Sequence, residues 1–349
     1  MSNFTVVLIV PTGVGAAIGG YAGDALPIAR AVSQISDRLI THPNVLNGAQ
    51  LYWSLDNTYY VEGYGLDRFA AGQWGLNPVR QNKIGLLLDK GIEPELRLRH
   101  IQAADAARAT LGLSLTDYTV TDAPLEVELR VADSGASWGT IGNPGSLLRA
   151  ADKLIDRGGA EAIAVVARFP DDDDSIELKN YRYGSGVDHL AGAEAVISHL
   201  IVRNFGIPAA HAPALKPLTA DPQVSPRAAA EELGYTFLPC VLVGLSRAPQ
   251  FVTQTELFSI DTILKNSVKA AIVPYSACGG SAIMSFANSA TEIIAVTNNS
   301  TQIDVTPEPL GIKVTKVNSY LEALGVLVAR KAGIDSQVFH PDISSLSCL

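Results

Sequence analysis

The sequence predicts an α/β protein: a mostly parallel sheet with helices on both faces. Three observations carry this reading. Runs that are apolar but for Thr5 and the leading Lys83, at residues 4–10, 83–88, 162–167 and 270–274, are what strands buried on both sides require. Stretches of helical periodicity lie between most of them, and helix–strand alternation means parallel strands joined by right-handed crossovers. Only 17% of residues are charged, below the roughly 25% of an average protein, as a doubly covered sheet implies. At 349 residues the chain exceeds the ~250–300 at which one core usually divides. Two lobes are therefore expected, 1–135 and 136–349, the first holding a glycine-rich turn.

That turn follows the first strand: Val10-Pro11-Thr12-Gly13-Val14-Gly15-Ala16-Ala17-Ile18-Gly19-Gly20. A strand, a glycine-rich turn and a helix start can together present free N–H groups and a positive dipole end to an anion. Thr12, Gly13, Gly15, Gly19 and Gly20 are its candidate ligand-binding residues. The turn departs from the dinucleotide fingerprint, because its third glycine comes late, and no GxxxxGK[ST] motif is present.

Asp24 is a candidate N-cap for a helix over 25–38. A polar knot then follows at 41–48, where His42, Asn44 and Asn47 either enter a site beside the glycine turn or bond their own backbone. Residues 51–76 concentrate seven aromatics among glycines, which suggests hairpins or an ordered loop over a cleft, with Glu62 and Asp67 as surface charge. Pro94 and Gly112 delimit a helix over 94–111. Strands are expected at 118–120 and 125–131, the latter alternating apolar with charged positions.

The second half repeats the helix–strand unit more clearly. A helix over 146–157, stopped by Gly158-Gly159, leads to the strand at 162–167. A second glycine-containing turn, 137–146, offers Asn143 and Ser146 as ligand contacts. Residues 171–174 read as a solvated acidic loop. Positions 193, 196, 197, 200 and 201 are apolar at helical spacing, and the Pro-rich stretch 207–226 reads as a linker or a site loop. A helix begins at Ser225-Pro226 and ends at Gly234. Then come a strand at 237–243, a helix over 260–268 with the strand at 270–274, a helix over 281–287 with a strand at 293–296, and a last helix over 317–332.

The sharpest chemical candidate is Ser276-Ala277-Cys278-Gly279-Gly280-Ser281. A thiol at a helix start has its pKa lowered by the dipole, and Gly279, Gly280 and Ser281 would leave N–H groups for an oxyanion. Cys240 reads as core. The histidines His42, His199 and His211 are the other catalytic candidates; His211 lies in an Ala/Pro stretch too poor in polar residues to hold it by chance. No HxH or HxxxH spacing is present, so no metal site is expected, and no cofactor is specified.

A net charge of −9 and scattered Lys and Arg argue against a nucleic-acid partner. No apolar run reaches the ~18 residues of a membrane span. Three cysteines form no disulfide framework. The expectation is a reduced, cytoplasmic protein, open to self-association, that binds a small anionic carboxylate or phosphate metabolite. It would act as an enzyme, or alternatively as a non-catalytic metabolite binder or a subunit of an assembly.

The strings Pro11-Thr12-Gly13-Val14-Gly15-Ala16, Thr41-His42-Pro43-Asn44-Val45, Val61-Glu62-Gly63-Tyr64-Gly65-Leu66-Asp67, Ala210-His211-Ala212-Pro213 and Ala277-Cys278-Gly279-Gly280 belong together. With them, nearly the whole chain resembles an uncharacterised family of cyanobacteria and algae known only as a domain of unknown function. The resemblance implies a soluble bacterial-type protein and brings no assigned residue.

Overall fold

A computed structural model describes residues 3–47, 51–171, 175–232, 238–254, 258–339, 341–343 and 345–346. The expected α/β architecture is present. Six parallel strands form the first sheet: β1 (Thr5–Leu8), β2 (Arg38–Thr41), β3 (Thr58–Tyr60), β12 (Val268–Pro274), β13 (Glu292–Val296) and β14 (Thr315–Val317). Their order is β14-β13-β12-β1-β2-β3. A second parallel sheet has the order β10-β9-β5-β6, from β5 (Ile84–Leu88), β6 (Thr119–Val120), β9 (Ala162–Arg168) and β10 (Ala209–Ala214). Two antiparallel pairs complete the strands: β7 (Val127–Val131) with β8 (Ser137–Ile141), and β4 (Gly75–Asn77) with β11 (Gln250–Val252).

Alternation along each strand divides the interior into two layers. Val6 and Leu8 of β1 face the helices α1 (Leu26–Ile35) and α11 (Tyr320–Lys331), packing with Leu26, Ala29, Val32 and Leu327. Val7 points the other way, toward Leu66 and Phe69 of α3 (Gly63–Ala70) and Phe286 of α10 (Ser281–Ala287). The second sheet repeats the scheme. Leu86 and Leu88 pack with Ala104 of α4 (Pro94–Leu111) and Leu242 of α9 (Leu238–Ser246). Leu87 packs with Leu147 of α5 (Pro144–Asp156) and Ile197 of α7 (Ala191–Phe205). Both sheets share both layers. Each sheet takes strands from either side of position 135, so a cut there runs through both sheets and both cores.

Several local expectations are corrected. The segment 51–76 holds β3, α3 and β4 rather than hairpins, because Glu62 caps a helix that begins at Gly63. The N-cap of α1 is Ala25, not Asp24, and β2 begins at Arg38 where a helix was expected to end. Residues 209–214, read as a linker or site loop, are the edge strand β10. Residues 238–243, read as strand, are helical, while Phe237 and the stop at Gly234 lie outside the described residues, as do Gly48 and 172–174. The helix expected over 260–268 reduces to a 3-10 turn, Lys265–Ser267, with Ile260 fully exposed. The last helix starts at Tyr320, because 315–317 pair as β14. By contrast α4 runs from Pro94 to Leu111, with Gly112 left-handed at its end, as the punctuation predicts.

Candidate functional site

The connections after β1 and β12, neighbouring strands, leave for opposite faces: one leads to α1, the other to α10. Such a divergence opens a crevice at the carboxyl ends of the strands. A cleft of about 330 Å³ lies there, lined by Thr12 after β1, His42 after β2, Glu62 after β3 and Ser281 at the start of α10. Glu194, Ser198 and His199 reach it from α7, and His211 from β10. A volume near the lower end of ligand pockets suits a small metabolite.

The imidazoles sit in three different settings. His42 is half-buried on the cleft wall and accepts the Val10 N–H at Nε2 (3.1 Å). Burial pushes it down to about 4, so it is neutral. His199 Nε2 lies 2.8 Å from Glu62 Oε1. Burial alone would lower His199, but the bond to Glu62 and the charges of Glu62 and Asp67 outweigh it and raise its pKa. The pair is close because residue 63 is glycine: a Cβ there would stand 2.9 Å from His199 Nε2. Glu62 is held from behind, its Oε2 accepting the Tyr64 and Gly65 N–H groups (2.8 and 3.2 Å). His211 has its Nδ1 2.5 Å from Ser198 Oγ and its Nε2 3.5 Å from Glu194 Oε2. Glu194 and Ser198, four apart on α7, share the helix face that meets it.

Deeper in the wall are more carboxylates. Glu231 accepts from the Tyr181 hydroxyl (2.7 Å) and the Ala22 N–H (3.1 Å), and burial pushes it up to about 7. Asp188, 7% exposed, accepts the Leu190 N–H (2.9 Å); burial, then the charges of Glu231 and Glu194, raise it well above the usual carboxylate range. Asp67, raised by burial, accepts from the Ser281 hydroxyl and the Ala282 N–H. The described lining holds five carboxylates and no Lys or Arg. Among the described residues no three carboxylate, imidazole or thiol groups are placed to share a metal ion.

The structure brings together His42, His199, His211, Thr12, Asn44, Gly280 and Ser281 from the residues singled out in the sequence. Gly13, Gly15, Gly19 and Gly20 stand behind the wall. Gly13 and Gly15 have φ of +68° and +63° and touch Ser137 and Gln302, while the turn's N–H groups at Ala17, Ile18 and Gly23 bond Ser300, Asn299 and Asn44. The turn is a tightly packed crossing. Asn143 and Ser146 are elsewhere, bonding Pro124 and Ala123. Gly279 packs toward Val305.

Cys278 corrects an expectation. Its thiol faces the carbonyls of Pro274 and Tyr275, and it has no exposed surface; burial pushes it up to about 11 rather than down. Cys240 is buried as expected, on α9 rather than a strand, and Cys348 lies outside the described residues. Glu62 and Asp67, expected as surface charge, are on the wall, and Glu62 is only 4% exposed. Asp188, Glu194, Ser198 and Glu231 were missed as site residues. The one usable signal was Glu194 and Ser198 at i and i+4 beside His199.

No solved structure matches this chain, and no helix among the described residues is long and apolar enough to cross a membrane. The chain is 60% identical, over 347 residues, to a protein of Synechococcus sp. (strain ATCC 27144 / PCC 6301 / SAUG 1402/1) named as an uncharacterized lipoprotein; the match covers 99% of this chain and 96% of that one. A family model described as protein of unknown function (DUF3326) matches residues 5–340. The chain belongs to the DUF3326 family.

Proposed function

We propose that the protein is an enzyme that moves protons on a small metabolite held in this cleft. The observation that carries the reading is the His199–Glu62 contact: an imidazole of raised pKa, 42% exposed, beside a buried carboxylate fixed by two N–H groups. A proton-transfer group must reach a bound ligand and have its pKa tuned by its surroundings; His199 lines the cleft and has its pKa raised by Glu62. His211, oriented by Ser198 next to His199 on α7, is the second proton-handling group of the reading. Thr12, Asn44 and Ser281 supply uncharged contacts. An anionic metabolite bound by the glycine-rich turns has less support, since several of their N–H groups are taken and no Lys or Arg is in the described lining.

The test is incubation of a cyanobacterial metabolite extract with wild-type protein and with H199Q, followed by untargeted mass spectrometry. A metabolite consumed by the wild type and spared about 10²–10⁴-fold by H199Q is the expected result. Ligands retained on the wild type yet chemically unchanged after long incubation would favour a metabolite binder instead. A cytoplasmic location is proposed alongside, against the membrane anchorage that the relative's name suggests, and cell fractionation decides between them.

A further inference from the structure

We propose that His42 is a catalytic electrophile: its Nδ1–H binds the carbonyl oxygen of a small uncharged ketone or aldehyde while His199 moves the proton on the adjacent carbon. The inference names the substrate class of the cleft and rests on reading it as a proton-transfer site. Its support begins in the backbone. Strands β1 and β2 pair in register at Leu8 and Thr41, where the Thr41 hydroxyl donates to the Leu8 carbonyl (2.7 Å). Val10 and His42 therefore lie just beyond two adjacent strand ends. Pro43 disfavours helical backbone at His42, which is extended (φ −99°, ψ 166°), and the ring meets the Val10 N–H at Nε2 (3.1 Å). A backbone N–H only donates, so Nε2 holds the lone pair and the ring proton sits on Nδ1. Among the described residues nothing accepts from that N–H, and it is not a buried orphan. It is open to the cleft that His42 lines.

His199 has the complementary tautomer. Its Nε2 lies 2.8 Å from Glu62 Oε1, and a carboxylate only accepts, so the proton sits on Nε2 and the neutral ring keeps its lone pair on Nδ1. One imidazole thus offers the cleft a donor and the other a base. Burial holds His42 neutral, with its pKa near 4, and a fixed neutral N–H stabilises a developing oxyanion without itself ionising. In the step, His199 Nδ1 takes the proton from the carbon beside the carbonyl. The C–H electron pair becomes a C=C bond, and the carbonyl π pair moves onto the oxygen held by His42. Glu62 balances the imidazolium, which then returns the proton to carbon, so no oxidant or co-reactant is consumed. The described lining holds five carboxylates and no Lys or Arg, which disfavours an anionic carbonyl compound and favours an uncharged one.

The experiment is NMR at pH 7.5 of ¹⁵N-histidine-labelled protein with hydroxyacetone and dihydroxyacetone, propane-1,2-diol and glycerol being the controls that lack the carbonyl. The His42 signals, identified by their loss in H42N, should show a protonated Nδ1 and an unprotonated Nε2. The Nδ1 signal should shift with a ketone and not with the diol or glycerol. In D₂O the wild type should exchange the C–H protons beside the carbonyl. H42Q keeps an acceptor for the Val10 N–H in its Oε1 but has no donor at the Nδ1 position, and should lose exchange about 10²-fold. H42N, whose amide keeps a donor near Nδ1 and gives up the acceptor, should retain more; a merely structural role for His42 reverses that order. A proton on Nε2, an Nδ1 signal unmoved by both ketones, or undiminished exchange in folded H42Q overturns the proposal. Exchange lost in H199Q but kept in H42Q defeats the electrophile alone. An Nδ1 shift with a ketone that the wild type never exchanges defeats the proton-transfer reading alone.

Discussion

His199 and Glu62, brought from α7 and from the start of α3, meet at 2.8 Å on the wall of the cleft. The same carboxylate caps α3 with its other oxygen, so one buried side chain ties a helix start to an imidazole. The pair has a consequence for stability. His199 is raised above 6.5 in the folded protein. Its contribution is therefore fully present below the unfolded value and lost as pH rises through the folded one. The melting-temperature gap between wild type and E62Q should be wider at pH 5.5 than at pH 9. An equal gap at both would mean that Glu62 acts only as a cap.

His42 gives the opposite dependence. Neutral when folded, with a pKa near 4, it takes up its proton from 6.5 downward only when unfolded. Stability therefore falls as pH drops from 6.5 toward 4, by about 3 kcal/mol for the shift involved. Urea midpoints of H42N should show a flatter profile across that window than those of the wild type.

Glycines at two helices make a contrast. At Gly192, in the first turn of α7, a Cβ would stand 2.2 Å from Trp138 Cα, so G192A must move the backbone of β8. A loss of about 3 kcal/mol is expected. Gly325, inside α11, has open space around it, and G325A should gain about 0.5–1 kcal/mol from helix propensity. Denaturant unfolding of both variants checks the signs.

Cys278 should be inert. A buried thiol near 11 holds almost no thiolate at neutral pH. Iodoacetamide at pH 7 should leave Cys240 and Cys278 unmodified in the native protein and label both in urea, as read by peptide mass spectrometry. Rapid native labelling of Cys278 would restore it as a nucleophile.

The parallel-sheet architecture was legible in the sequence because its central strands are largely apolar and its helices are punctuated: α4 is bounded by Pro94 and Gly112. Where punctuation and period failed, so did the reading. The helix α9, Leu-Pro-Cys-Val-Leu-Val-Gly-Leu-Ser, is buried nearly all round and carries no amphipathic stripe. The strand β10, Ala-Ala-His-Ala-Pro-Ala, lacks β-formers, and its Pro213 is tolerated only because the strand is an edge. In the site, the three histidines were visible as unusual residues. The carboxylates were not, because the burial of Glu62 comes from α7, packed against α3 by the tertiary fold. Cys278 misled because a helix start near a thiol says nothing about how deeply the thiol is buried.

The central claim, that the cleft performs proton chemistry through His199, is tested most directly by solvent-deuterium incorporation. The metabolite identified by consumption in the extract would be incubated in D₂O with wild type and H199Q, and its isotopic mass followed over pH 5–9. The account predicts protein-dependent incorporation or turnover that rises through the His199 titration and falls about 10²–10⁴-fold in a folded H199Q. Incorporation at an equal rate in both proteins, with no pH step, would contradict it.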